Sequence, residues 1–178
     1  MRKQTIGKGY NNLILVINYI FKIIGVDNYE KLVELENKQY LVKVWDTAGQ
    51  EKFAVMAKNY YQRAHGMIIV CAINDRRSFE NVRIWLASIK ESAEEDIQII
   101  LVANKCDLQE EREIPTDEIR AKAEEYKLEY FETSSKENTN VKEAFDKIIQ
   151  KIYHTIYDKP EGIVLYKDHR FYFTGCCK

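Results

Sequence analysis

Three short polar stretches, each directly after an apolar run, hold the residue types that chemistry needs. Asp46-Thr47-Ala48-Gly49-Gln50 follows Trp45, Asn104-Lys105-Cys106-Asp107 follows Ala103, and Thr133-Ser134-Ser135-Lys136 follows Glu132. A carboxylate such as Asp46 at the end of a buried strand can hold a metal-bound water, and Gly49 lets the backbone approach an anionic group closely. Asp107 offers two acceptor oxygens side by side, which suits a partner presenting two parallel N–H groups. Ligands of open α/β sheets bind beyond the carboxyl ends of the strands, so parallel strands here would place all three stretches on one rim.

The elements that must build this rim are legible as hydrophobic patterns. Met67 to Ile73 and Ile97 to Ala103 are nearly continuous apolar runs, as strands covered on both faces require. Leu128 to Glu132 is a shorter strand of the same kind, and Tyr29 to Leu35 with Tyr40 to Trp45 reads as an antiparallel hairpin turning at Asn37-Lys38. Between them lie amphipathic helices: Phe79, Val82, Trp85, Leu86 and Ile89 share one face, and Val141, Phe145, Ile148, Ile149, Ile152 and Ile156 another. Asn140 with Glu143 predicts a capping box for the last helix, and Thr116 a cap for the helix running to Tyr126. The alternation predicts an α/β fold with a mostly parallel sheet, one antiparallel hairpin and helices on both faces. The helical period stops at Lys159-Pro160, so residues 1–158 read as one domain and 159–178 as a flexible tail.

Composition narrows the function. The chain has 178 residues, 46% of them hydrophobic, enough for one domain with a full core. Lys and Arg number 27 against 28 Asp and Glu, a net charge of −1, so no bulk positive field exists to hold nucleic acid. The four cysteines form no CxxC pair, which argues against a disulfide framework or a structural zinc. The apolar run from Leu13 to Val26 is interrupted by Asn18 and Lys22 and is too short to span a bilayer, so it reads as a buried element. No G-x-S-x-G or H-E-x-x-H occurs, and His65, His154 and His169 have no ligand spacing.

Taken in order, WDTAGQEKF, YYQRAHG, NKCD and ETSSK resemble the Ras-like small GTPases, and within them the Rab branch, over roughly residues 25–157. The resemblance implies a domain that binds GTP or GDP with Mg²⁺, hydrolyses GTP and regulates vesicle traffic through effectors, exchange factors and GTPase-activating proteins. It implies that Gln50 orients the attacking water, that Gly49 meets the terminal phosphate, and that Asp46 holds the Mg²⁺ through water. It also implies that Asn104 braces the base, the stem of Lys105 lies over the ring, and the Ser134-Ser135-Lys136 loop gives a backbone N–H to the guanine oxygen. Phe53, Tyr60 and Tyr61 would belong to the nucleotide-sensitive surface. The family usually carries alanine where Ser135 stands, a change that a backbone contact survives. The acceptor pair of Asp107 fits the N1–H and 2-amino groups of guanine; adenine has an acceptor at N1 and no 2-amino donor.

The phosphate loop departs from the family. GxxxxGK[ST] is reduced to Gly7-Lys8, where the resemblance implies that Gly7 and Lys8 still bind the nucleotide with Lys8 touching the phosphates, but Arg2 stands at the first glycine, Gly9 at the hydroxyl position, and only six residues precede Gly7. Ile23 stands where the second hydroxyl ligand of the metal belongs, and Asn28 replaces an aromatic effector contact. Metal binding is therefore expected to be impaired, and a nucleotide-deficient Rab-like binding module is the alternative reading. The chain ends Cys176-Cys177-Lys178, resembling the doubly prenylated termini of Rab proteins rather than a CaaX box. Two lipid chains give stable attachment where one is marginal, which implies a peripheral protein on the cytosolic face of intracellular membranes.

Overall fold

A computed structural model describes residues 11–19, 26–47 and 61–157. The strands are β1 (Asn11–Tyr19), β2 (Val26–Leu35), β3 (Lys38–Thr47), β4 (Gly66–Ala72), β5 (Gln98–Asn104) and β6 (Glu129–Glu132). The helices are α1 (Arg76–Ser92), α2 (Thr116–Glu125) and α3 (Val141–Tyr157). One six-stranded sheet runs in the order β2-β3-β1-β4-β5-β6, parallel except for the β2–β3 hairpin. This is the predicted fold class. Its parallel strands all end on one edge, so the three polar stretches leave the sheet on the same side.

The apolar runs are apolar because both sheet faces are covered. Ile68 and Val70 of β4 and Ile100 and Val102 of β5 pack with Val141, Phe145, Ile148, Ile149 and Ile152 of α3. The alternate residues Met67, Ile69, Cys71, Leu101 and Ala103 pack with Phe79, Val82, Trp85, Leu86 and Ile89 of α1 and Ile119 of α2. Gly66 opens β4 where α3 comes closest: a Cβ there would lie 2.5 Å from Ile152 Cδ1. Among the described residues no helix is long and apolar enough to cross a membrane.

Several local expectations shift. The hairpin turns at Glu36-Asn37, both at positive φ (46° and 60°), while Lys38 already pairs with Leu35. Two residues with positive φ make the type I′ geometry whose twist matches the strands, and Tyr153 of α3 donates to Glu36 Oε2 at 2.7 Å. Thr116 does not cap α2; Pro115 precedes the first turn and the Thr116 hydroxyl donates to Glu132 Oε1 at 2.8 Å. Asn140 has φ 54° rather than the extended cap geometry, and its amide donates to the Glu132 carbonyl at 2.9 Å. Ile156 is 40% exposed, outside the α3 core face. The Leu13–Val26 run is divided: its first part forms most of β1, with Leu15 fully buried, and Val26 opens β2.

Candidate functional site

The carboxyl ends of β5 and β6 form a bonded lattice. Asn104 ends β5 and is 3% exposed; its Oδ1 accepts from the Thr133 hydroxyl at 3.1 Å and from the Ser135 backbone N–H and hydroxyl, both at 3.2 Å. Lys105 turns the chain with φ 65°, and the loop after it is fastened to the β6 loop by Cys106 N–H to the Thr133 carbonyl at 2.9 Å. Fully buried Ser134 donates its hydroxyl to Asp107 Oδ1 at 2.6 Å while accepting from Glu137 N–H at 3.0 Å, which directs its proton to the carboxylate. The Ser134 bond, with backbone bonding and the nearby Lys136 and Lys105 charges, outweighs partial burial and holds the Asp107 carboxyl below its ordinary range.

Asn104, Lys105, Asp107, Ser134, Ser135 and Lys136 are thus brought together from segments about 30 positions apart. The half-buried Asp107 keeps lone pairs for two further donors, since a carboxylate has about four acceptor positions. A planar heterocycle with adjacent N–H groups fits that acceptor pair. Thr133 stands in the polar stretch after β6, but the sequence assigns it no role in bracing Asn104, because any strand-end hydroxyl reads alike. Arg112 also escaped notice. Its guanidinium grips Glu132 Oε2 at 2.6 Å and the Ile114 carbonyl at 3.0 Å, bracing the loop after Asp107 against the end of β6.

Asp46 lies at the penultimate position of β3, half-buried, across from Asp27 of β2. Tyr61 is fully buried in the core with α1 and α2 and offers no surface. Gly7, Lys8, Gly9, Ile23, Gly49, Gln50, Phe53, Tyr60, Cys176 and Cys177 lie outside the described residues. Chain order still bears on two of them. Gly7 and Lys8 precede β1, whereas a phosphate loop follows its strand, and between β1 and β2 stand only residues 20–25, fewer than the motif's own length.

The family model of the Ras family matches residues 17–154. The chain belongs to the Ras family. Its curated relatives place it in the Rab branch: it is 43% identical over 141 residues to Ras-related protein Rab-11C of Dictyostelium discoideum, covering 79% of this chain and 63% of that one. It is 41% identical over 129 residues to Ras-related protein Rab-13 of Rattus norvegicus, covering 72% and 64%. To Ras-related protein RABD2a of Arabidopsis thaliana it is 41% identical over 139 residues, covering 78% and 68%. The chain spans just under two thirds of the length of the first two. The β5–β6 rim presents the Asp107 acceptor pair between Asn104 and the Ser134-Ser135-Lys136 loop.

Magnesium fares differently in this Rab-like chain. The ion keeps several waters and takes one or two carboxylates plus substrate phosphates, a role Asp46 suits, but Gly9 and Ile23 stand in the sequence where its two hydroxyl ligands belong. Among the described residues no group of three or more His, Cys, Asp or Glu could hold a metal. The donor set for the ion is not built among the described residues. Nucleotide affinity is expected to change less than about threefold on chelation, because phosphate contacts relayed by Mg²⁺ are what chelation removes. Titration of fluorescent GDP with and without EDTA measures this; tight binding that collapses on chelation contradicts it.

Proposed function

We propose that the chain is a Rab-type guanine-nucleotide switch that regulates vesicle-mediated membrane traffic from the cytosolic face. It binds GTP and GDP at the β5–β6 rim and hydrolyses GTP to GDP and phosphate. Asp107 reads N1–H and the 2-amino group, Asn104 braces the base site, the Lys105 stem covers the ring, and the Ser134-Ser135-Lys136 loop meets the guanine oxygen. Gln50 orients the attacking water and Gly49 approaches the terminal phosphate. Lys8 is left out of the phosphate contacts for the chain-order reason above. Exchange factors, GTPase-activating proteins and effectors are its protein partners, and prenyl groups on Cys176 and Cys177 its membrane attachment.

The observation that carries this reading is the Ser134 hydroxyl fixing an ionised Asp107 carboxylate at the rim, 2.6 Å away. The Rab relatives support a nucleotide switch over a nucleotide-independent module. Competition against fluorescent GDP is the test. Unlabelled GDP is expected to displace the probe at least roughly tenfold better than ADP, because adenine leaves the carboxylate unpaired at a cost of about 1–3 kcal/mol. Equal displacement by ADP sinks the reading.

A further inference from the structure

Three donors converge on one oxygen at the end of β5. Asn104 Oδ1 accepts from the Thr133 hydroxyl at 3.1 Å and from the backbone N–H and the hydroxyl of Ser135, each at 3.2 Å. An amide oxygen carries two lone pairs, so one donor is surplus. A separation of 3.2 Å is long for a hydroxyl donor, as expected where three donors share two positions. Asn104 is 3% exposed, so water is poorly placed to replace a lost donor. Ser135 is half-buried and lines a small pocket together with Asn104, Thr133, Val102 and Phe145.

We propose that Ser135 is a positioning residue for guanine recognition: its hydroxyl serves as the second donor to Asn104 when its own backbone N–H turns to the guanine oxygen. This rests on the base-site reading above. In the free protein the Thr133 hydroxyl and the Ser135 N–H already fill both lone pairs of Asn104, and the Ser135 hydroxyl is redundant. In the complex the N–H is taken by the ligand, and the two hydroxyls together fill the same two positions. With alanine at 135, binding leaves a buried amide oxygen one donor short. The hydroxyl is therefore silent in the free protein and contributes once the base is bound.

Ser135→Ala and Ser135→Thr separate this from a structural role. The alanine variant is expected to bind GDP about three- to tenfold more weakly, the range of one net hydrogen bond, with the ligand-free unfolding midpoint unchanged. The threonine variant, which restores a hydroxyl, is expected to recover at least half of the loss on a logarithmic scale. Unchanged GDP affinity in Ser135→Ala, a matching fall in the ligand-free midpoint, or no recovery with threonine each overturns the proposal while leaving the base site standing. A parent protein that does not bind GDP overturns the base site itself, and the proposal with it.

Discussion

Asp107→Asn is expected to weaken GDP binding roughly 100-fold or more and to improve binding of xanthosine diphosphate, inverting the base preference. The substitution replaces one acceptor oxygen with an N–H₂ donor, which then faces the 2-amino group of guanine. Xanthine presents a carbonyl at that position and accepts instead. Ser134 keeps its grip on the remaining oxygen, so the side chain stays where the carboxylate was, and the effect falls on recognition rather than on folding. Acidity adds a second readout. The Asp107 carboxyl is held below its ordinary range, chiefly by the Ser134 bond, so its ionised, accepting form persists as pH falls. The part of GDP affinity that Asp107 supplies should therefore persist as pH falls through the ordinary carboxylate range. Competition isotherms with GDP and xanthosine diphosphate across pH check both; a variant that still prefers GDP contradicts the assignment.

The second large effect concerns attachment. Replacing both Cys176 and Cys177 with Ser is expected to move the protein almost wholly from the membrane fraction to the cytosol, whereas either single replacement should give partial, reversible binding. The reason is additive transfer energy: each buried methylene contributes about 0.8 kcal/mol, and one chain gives marginal anchoring where two give stable anchoring. Among the described residues no helix can substitute as a span. Cell fractionation with quantitative blotting measures the partition. A double variant that stays on membranes would assign attachment to the Phe171-Tyr172-Phe173 stretch or to a bound protein.

What the sequence determined by itself is what repeats at short range. Continuous apolar runs at Met67–Ile73 and Ile97–Ala103 announced strands buried on both faces, and the helical spacing from Phe79 to Ile89 announced the α1 core face. The residues of the β5–β6 rim were legible for the same reason, since they sit at or just beyond the ends of strands that the pattern marks. The tertiary structure decided which of those residues touch. No local pattern joins Thr133 and Ser135 to one oxygen of Asn104, or Arg112 to Glu132, because these partners meet only when β5 and β6 take parallel register and aim their exits at one another. Thr116 and Asn140 looked like helix caps because their side chains can bond nearby backbone; Glu132, brought between them by the fold, is where both were bonded instead. The hairpin moved by one residue because Glu36 is held from across the sheet by Tyr153, 117 positions away in sequence. The order of β1 after Gly7-Lys8 likewise follows from which apolar segment fills the central position between β3 and β4, and burial between neighbours, not a motif, selects that segment.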